Sequence, residues 1–322
     1  MSIIKKITKI KSIVLLVIVL LIAGAVVYIR PFLPNVPLED LQVKITPERL
    51  ERGRYLFNNL AGRKECHSAR NPNLQAMPVK EGTDGQGGMV FDHKEGLPGS
   101  FVANNITPFH LKHLSDGEIF WAITSGVTKG GHALFPLMPY KSFGHADKED
   151  ILSIIAYLRT LEPIKNDLPV SHSDFPMSII IHTIPGKPDF HPVPDKNNSV
   201  QYGSYLANLG NCITCHSQAN KGKLIAGMEF AGGRKVPIPT GGIVSSANIT
   251  PDIETVIGSW TKQAFLQRFR NYSDTAFNPA AITAGSFNTV MPWMQFGQLT
   301  TDDLSAIYDF LRTVKPVKST VF

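Results

Sequence analysis

Cysteine is scarce in this chain of 322 residues: three copies exclude a scaffold held by disulfides. Excess basic charge is also missing outside the N-terminus. The net charge is +6, but residues 1–30 hold five basic and no acidic side chains, which leaves 27 basic and 26 acidic residues in the rest. This nearly neutral body excludes the basic footprint of a nucleic-acid-binding protein. Sustained alternation of apolar and polar residues is absent too, which predicts an all-α fold.

A long apolar run is present near the N-terminus. Ile13 to Ile29 is an uninterrupted run of 17 apolar or small residues, at the lower limit for a bilayer-spanning helix. Four lysines precede this run, so the positive-inside rule predicts a cytoplasmic segment at residues 1–12. We expect a transmembrane anchor at residues 13–30 with the body outside the cytoplasm. A cleaved signal peptide is the alternative.

Five blocks of sequence occur twice in the same order and indicate a duplication. The matched pairs are Gly53-Arg54-Tyr55-Leu56 with Gly203-Ser204-Tyr205-Leu206, Cys66-His67-Ser68 with Cys215-His216-Ser217, Asn105-Ile106-Thr107-Pro108 with Asn248-Ile249-Thr250-Pro251, Met138-Pro139 with Met291-Pro292, and Asp150–Thr160 with Asp303–Thr313. We therefore predict two domains, residues 44–162 (the first repeat) and 199–318 (the second repeat). A stiff, mostly extended, proline-rich linker at residues 163–198 joins them.

Each repeat is predicted to begin and end with a helix. Thr46-Pro47-Glu48 combines a capping hydroxyl with proline at the first helical position. Apolar residues at helical spacing predict the closing helices, and Thr300 with Asp303 resembles a capping box. Gly53 and Gly203 are expected where the first and last helices of each repeat cross closely. Long loops rich in glycine and proline lie between, so the chain needs a bulky group to pack against.

The strongest chemical motif is Cys212-Ile213-Thr214-Cys215-His216, the attachment sequence of c-type haem. Cys212 and Cys215 are predicted to form thioethers with the two vinyl groups, and His216 is predicted to bind the iron. A zinc site would need four ligands, and the sequence has no second cysteine pair.

The sixth iron ligand is predicted to be a methionine, because Met/His ligation is the usual pattern in cytochromes c. Met291 is the first candidate, since the following Pro292 would hold its loop extended and Met138-Pro139 recurs at the equivalent position. Met294 and Met228 are the alternatives.

The first repeat departs from the motif. It reads Arg63-Lys64-Glu65-Cys66-His67, with Arg63 at the position of the first cysteine. We expect a second haem here, held by one thioether at Cys66 with His67 and Met138 on its iron, because an empty haem domain would collapse. The alternative is a first repeat that has lost its haem and serves as a docking domain.

At these residues the chain resembles a membrane-anchored di-haem cytochrome c, and it is similar to the cytochrome subunits of periplasmic alcohol, sugar or aldehyde dehydrogenases. Those subunits often carry three such domains, and this chain has two. The resemblance implies that four residues pack or hydrogen-bond near the haem propionates: Asn105, Thr107, Asn248 and Thr250. Trp260 stands where the family often has a tryptophan.

These observations predict an electron carrier and not an enzyme. Six ligands on each iron leave no position for peroxide or oxygen. We expect electrons to arrive from a dehydrogenase or quinol-oxidising complex and to leave for a terminal oxidase or soluble cytochrome, in the periplasm beside a bacterial inner membrane, with no nucleic-acid partner. A di-haem peroxidase, with a labile sixth position on the first haem, is the alternative. Eight histidines without a counterpart between the repeats are expected at the surface.

Overall fold

The computed structural model describes residues 2–29, 41–273, 277–283 and 285–319. Helix α1 (Ser2–Ile29) is long and apolar enough to cross a membrane over its Lys6–Gly24 segment, and none of that segment is buried in the protein. Signal sequences satisfy the same criteria of length and composition. Residues 2–12, predicted as a cytoplasmic segment, belong to this helix, and Arg30, the predicted end of the anchor, lies outside the described residues.

The described body consists of short elements joined by long loops. The first repeat contains α2 (Pro47–Tyr55), continued by a wider helical turn at Leu56–Leu60, then α3 (Arg63–Cys66), β1 (Val90–Phe91), β2 (Gly99–Val102), α4 (Pro108–Leu111), α5 (Asp116–Ser125), α6 (Tyr140–Gly144) and α7 (Lys148–Leu158). The linker holds β3 (His172–Ser173) and α8 (Met177–Ile180). The second repeat contains α9 (Ser199–Leu209), α10 (Cys212–Cys215), β4 (Ala219–Asn220), β5 (Lys223–Leu224), β6 (Lys235–Pro237), β7 (Ile243–Ser245), α11 (Lys262–Arg270), α12 (Trp293–Phe296) and α13 (Thr301–Leu311).

The predicted helix starts are confirmed in part. Thr46 is the N-cap of α2, and its hydroxyl oxygen accepts a hydrogen bond from the Arg49 N–H at 3.3 Å. Thr300 caps α13 in the same way, accepting from the Asp303 N–H at 3.1 Å. The predicted capping box is wrong, because the Asp303 carboxylate binds tyrosine hydroxyls and the Thr300 N–H donates to the Tyr55 hydroxyl.

The predicted close crossings of first and last helices are confirmed in both repeats. A Cβ atom on Gly53 of α2 would overlap the Ser153 carbonyl oxygen of α7. A Cβ atom on Gly203 of α9 would overlap the Ala306 carbonyl oxygen of α13. The two helix pairs therefore need glycine because their backbones touch.

The prediction of an all-α fold is wrong. The described residues are 39% helical and 8% strand, and they form three small antiparallel sheets, β1-β2-β3, β4-β5 and β6-β7. Strands of two to four residues are too short for alternation to reveal them. They form where loops fold back closely: a Cβ atom on Gly99, at φ of 144°, would overlap the His172 carbonyl oxygen. Because β3 pairs with β2, the linker is partly folded against the first repeat.

The two repeats join through a reciprocal pair of tyrosine–aspartate hydrogen bonds. The Tyr55 hydroxyl of α2 donates to the Asp303 carboxylate of α13 at 2.5 Å. The Tyr205 hydroxyl of α9 donates to the Asp150 carboxylate of α7 at 2.6 Å. Each hydroxyl also accepts from the backbone N–H at the N-cap of the same closing helix. The opening helix of each repeat is thus bonded to the closing helix of the other.

Candidate haem sites

The attachment motif of the second repeat forms a single helical turn, α10, and His216 is its C-cap residue. Asn211 precedes it with a left-handed φ of 54°, a conformation that asparagine adopts more readily than most residues. The Asn211 side-chain oxygen accepts from the Thr214 hydroxyl at 2.7 Å and so fixes the turn. Cys212 and Cys215 form no disulfide in the described structure. Burial raises the pKa of the Cys212 thiol to about 12.

The His216 ring is oriented by a backbone carbonyl. Its Nδ1 lies 2.7 Å from the Ala247 oxygen, which makes Nδ1 the donor and leaves Nε2 as the atom that can bind a metal. Burial lowers the pKa of His216 and favours its neutral form. The His216 carbonyl accepts from the Gly232 N–H at 2.8 Å. Two thiols one helical turn apart and an oriented neutral imidazole are the donor set that a c-type haem requires.

The first repeat has the same frame, meaning a short helical turn followed by a histidine that is held by backbone hydrogen bonds. Arg63 occupies the first position of its turn, α3. His67 Nδ1 lies 2.7 Å from the Asn104 oxygen, and the His67 carbonyl accepts from the Gly87 N–H at 2.8 Å. The Ser68 hydroxyl accepts from a backbone N–H at 3.1 Å, as Ser217 does at 2.9 Å in the second repeat. The surroundings of both histidines are therefore built by the same hydrogen bonds.

The two predicted methionine ligands lie in matching turns. The Tyr140 N–H donates to the Met138 carbonyl, and the Trp293 N–H donates to the Met291 carbonyl, each at 2.8 Å. In each turn, the proline that follows the methionine is the central residue of a three-residue turn. Met138 and Met291 are half-buried and pack against the hydrophobic core. Iron ligation by either thioether stays a prediction.

The residues implied to lie near the propionates form a buried clasp. The Asn248 side-chain oxygen accepts from the Thr250 N–H at 2.9 Å and from the Thr250 hydroxyl at 2.8 Å. Its amide donates to the Val317 carbonyl at 2.7 Å, so the clasp fixes the chain that follows α13. Because Asn248 follows Ala247, the clasp also fixes the carbonyl that orients His216. The first repeat has the same contacts among Asn105, Thr107 and Ile164.

Trp260 lies beside the start of α11 and packs, half-buried, against the hydrophobic core. Its carbonyl accepts from the Tyr308 hydroxyl at 2.8 Å. Leu114 is at the equivalent position of the first repeat, and its carbonyl accepts from the Arg159 guanidinium at 2.7 Å. Both closing helices thus hold this loop by a side chain. Proximity of Trp260 and of the clasp residues to a haem stays a prediction.

One group of side chains was not foreseen from the sequence. His145, Asp189 and His191 are exposed, and one possible ligand atom from each lies within 4.8 Å of the others. The Asp189 N–H donates to the Gly144 carbonyl at 2.8 Å, which holds the linker against the end of α6. No repeat or spacing in the sequence relates these positions, so only the fold could bring them together.

Comparison with known proteins gives a family for the second repeat. Residues 200–315 match the family described as Cytochrome c. The chain is 28% identical to the fructose dehydrogenase cytochrome subunit of Gluconobacter japonicus, over 94% of this chain and 58% of that protein. It is 26% identical to the alcohol dehydrogenase (quinone) cytochrome c subunit of Gluconacetobacter polyoxogenes, over 68% and 49%.

A third relative is the gluconate 2-dehydrogenase cytochrome c subunit of Pantoea cypripedii, 27% identical over 70% of this chain and 55% of that protein. The chain spans about half the length of each of these three relatives. Residues 200–315 are therefore a cytochrome c domain, and the chain is similar to the cytochrome subunits of an alcohol dehydrogenase (quinone), a fructose dehydrogenase and a gluconate 2-dehydrogenase.

Proposed function

We propose that this protein is an electron-transfer subunit that carries two c-type haems, one in each repeat. The observation that carries the proposal is the shared frame around His67 and His216. Each Nδ1 lies 2.7 Å from the carbonyl that precedes a buried Asn-Ile-Thr clasp. A first repeat that no longer bound haem would have no chemical reason to keep an imidazole oriented for a metal.

Each repeat supplies side chains to hold and ligate its haem. In the second repeat Cys212 and Cys215 would form the thioethers, and His216 and Met291 would bind the iron. In the first repeat Cys66 would form a single thioether, with His67 and Met138 on the iron; Asn105, Thr107, Asn248, Thr250 and Trp260 complete the proposed surroundings. Bound haem c supplies reversible one-electron transfer between ferric and ferrous iron.

The protein residues then set the properties of each site. The Ala247 carbonyl keeps the proton on Nδ1 of His216 and so keeps Nε2 available as a ligand. A methionine in the sixth position favours the reduced state and raises the potential. With His216 and Met291, or His67 and Met138, bound to the iron, the sites would exchange electrons and leave no ligand position for oxygen or peroxide.

The partners follow from the relatives and from the N-terminal helix. The names of three relatives describe cytochrome subunits of dehydrogenases, which supports a dehydrogenase as the electron donor. A terminal oxidase or a soluble cytochrome would be the acceptor. Helix α1 would anchor the protein in the bacterial inner membrane, with both repeats in the periplasm.

The first experiment counts and classifies the haems on the full chain. Intact mass should show two covalent haems, and the reduced pyridine haemochrome spectrum should contain two components. The haem with one thioether keeps one vinyl group in conjugation, so its band should lie at longer wavelength. A single covalent haem, with no second haem retained, would contradict the proposal and make the first repeat a docking domain.

A further inference from the structure

A loop of the first repeat pairs with the segment that precedes Met291 in the second repeat. The Gln75 N–H donates to the Ala280 carbonyl at 2.9 Å, and the Ile282 N–H donates to the Asn73 carbonyl at 2.7 Å. Leu74 lies between them in an antiparallel bridge with the second repeat. The two repeats are thus also joined by backbone hydrogen bonds, through residues other than those of the tyrosine contacts.

Asn288 is the centre of this contact and is 1% exposed. Its side-chain oxygen accepts from the Ala76 N–H at 2.9 Å. Its amide donates to the Leu74 carbonyl at 3.1 Å and to the Pro72 carbonyl at 3.3 Å. This short side chain donates two hydrogen bonds and accepts one from the same loop, which requires an amide because a hydroxyl has only one proton to donate. Asn288 therefore binds both N–H and carbonyl groups of this backbone segment of the first repeat.

The loop that Asn288 contacts is held in a costly conformation. Ala76 and Met77 have φ of 60° and 46°, the left-handed region that non-glycine residues rarely adopt, and both are 4% exposed. The Arg70 guanidinium donates to the Met77 carbonyl at 2.7 Å and to the Ala76 carbonyl at 3.0 Å. Arg70 follows Cys66 by four residues, so the haem-attachment segment of the first repeat supports this loop.

The contact continues to the predicted ligand of the other haem. The Asn288 oxygen also accepts from the Thr289 N–H at 2.9 Å, and the Thr289 hydroxyl accepts from the Met291 N–H at 3.1 Å. The Met138 N–H instead donates to the Phe135 carbonyl at 3.2 Å, within its own repeat. The Met291 N–H is therefore linked through Thr289 and Asn288 to the backbone of the first repeat.

We infer that Asn288 is a positioning residue for the sixth ligand of the second haem, and that the first repeat controls the ligation of that haem through it. The inference rests on the proposed function, in which Met291 is the ligand. A change in the first repeat near Cys66 would then reach the second haem as a change in how firmly Met291 is held, without any contact between the haems themselves.

The test compares the Asn288→Asp and Thr289→Val variants of the full chain with the unchanged protein. Asn288→Asp keeps the shape but loses both donors and turns a carboxylate toward two carbonyls. Thr289→Val removes the acceptor for the Met291 N–H and leaves Asn288 in place. Loss of one such buried hydrogen bond should shift the equilibrium between bound and detached Met291 by about tenfold.

Three readouts report that equilibrium. The weak near-infrared band of methionine bound to ferric haem should decrease, the midpoint potential of the second haem should fall, and carbon monoxide should bind its ferrous form more readily. The first haem, distinguished by its single-thioether band, should be unchanged. Asn208→Asp is the matched control, because Asn208 donates across the repeats to the Ser142 carbonyl at 2.9 Å and its side-chain hydrogen bond goes to α6, not to the Met291 turn.

The outcomes separate the inference from the proposed function. If Met291→Ala leaves the near-infrared band of the second haem intact, the ligand assignment itself is wrong. If Met291→Ala removes the band but Thr289→Val and Asn288→Asp both keep the unchanged band and potential, Asn288 has no positioning role. Should Asn288→Asp fail to fold, Thr289→Val alone decides between these results.

Discussion

Arg63 stands where the second repeat has Cys212, and this one difference decides how many thioethers a haem in the first repeat could form. The rest of the frame around Cys66 and His67 matches the second repeat. We expect Arg63→Cys to supply the missing thiol. Its addition to the remaining vinyl group would shorten the conjugated system and move the reduced haemochrome band of the first haem to shorter wavelength.

The measurement is the pyridine haemochrome spectrum with intact mass of the same sample. The mass should change only by the substitution, because addition of a thiol to a vinyl group conserves all atoms. Cys212→Arg is the reciprocal control and should move the band of the second haem to longer wavelength. An Arg63→Cys spectrum identical to that of the unchanged protein would show that the first haem is absent or differently placed.

Single residues also show what sequence reasoning could and could not find. The Cys212 to His216 motif is local, so its spacing alone indicates the chemistry. The pairing of Asn288 with Ala76 is not local: it joins residues 212 positions apart through an amide of a common type. Nothing in the composition or repeat pattern marks Asn288, because the first repeat has no equivalent contact in the described structure.

At the scale of elements, the helix crossings give a sharp prediction. Gly203→Ala puts a Cβ atom against the Ala306 carbonyl of α13. Alanine is favoured over glycine inside a helix by up to about 1 kcal/mol. The overlap should outweigh this gain and lower the free energy of unfolding by about 1–3 kcal/mol.

The denaturation midpoint in urea, followed by circular dichroism, measures the effect. Gly53→Ala should behave like Gly203→Ala, since it meets the Ser153 carbonyl. Gly186→Ala is the control, because it is exposed and a Cβ atom there meets no heavy atom within 4 Å. Equal midpoints for Gly203→Ala and Gly186→Ala would mean that the helices can separate without cost.

The same elements explain which parts of the fold the sequence predicted. Capping residues and apolar spacing identified α2, α7 and α13, since helices of nine to eleven residues carry enough turns for a period to show. The three sheets were missed because pairs such as Ala219–Asn220 and Lys223–Leu224 are two residues long. Their formation depends on where long loops meet, which is a property of tertiary packing.

At the scale of the whole molecule, α1 predicts that the mature protein stays in the membrane. No residue of its Lys6–Gly24 segment is buried within the protein, so this apolar helix needs a bilayer or must be removed. The chain should sediment with membranes after a high-salt wash. Proteolysis at a site inserted between α1 and the first repeat should release both haems together in soluble form. A mature mass that lacks α1 would identify it as a signal peptide.

The joint between the repeats predicts how the whole molecule responds to alkali. Burial and hydrogen bonding to Asp303 raise the pKa of Tyr55, and burial with Asp150 raises that of Tyr205. In the unfolded chain these phenols ionise near pH 10, while in the folded protein they stay protonated to higher pH. The unfolded state therefore loses protons first, and stability should fall as pH rises above about 10.

Tyr55→Phe and Tyr205→Phe test this joint. Each removes one phenol-to-carboxylate hydrogen bond and should cost about 1–2 kcal/mol at neutral pH, because each aspartate keeps one partner in its own repeat, Tyr202 or Arg52. In the double variant, the free energy of unfolding should also fall less between neutral pH and about pH 11, because the two phenols with raised pKa values have been removed. Tyr308→Phe is the control for the loss of one phenol hydroxyl, because it breaks a bond to Trp260 inside the second repeat and leaves the joint between the repeats intact. If the free energy of unfolding falls equally with pH in the double variant and in the unchanged protein, other groups set the alkaline limit. The two tyrosines would then join the repeats without making that joint dependent on pH.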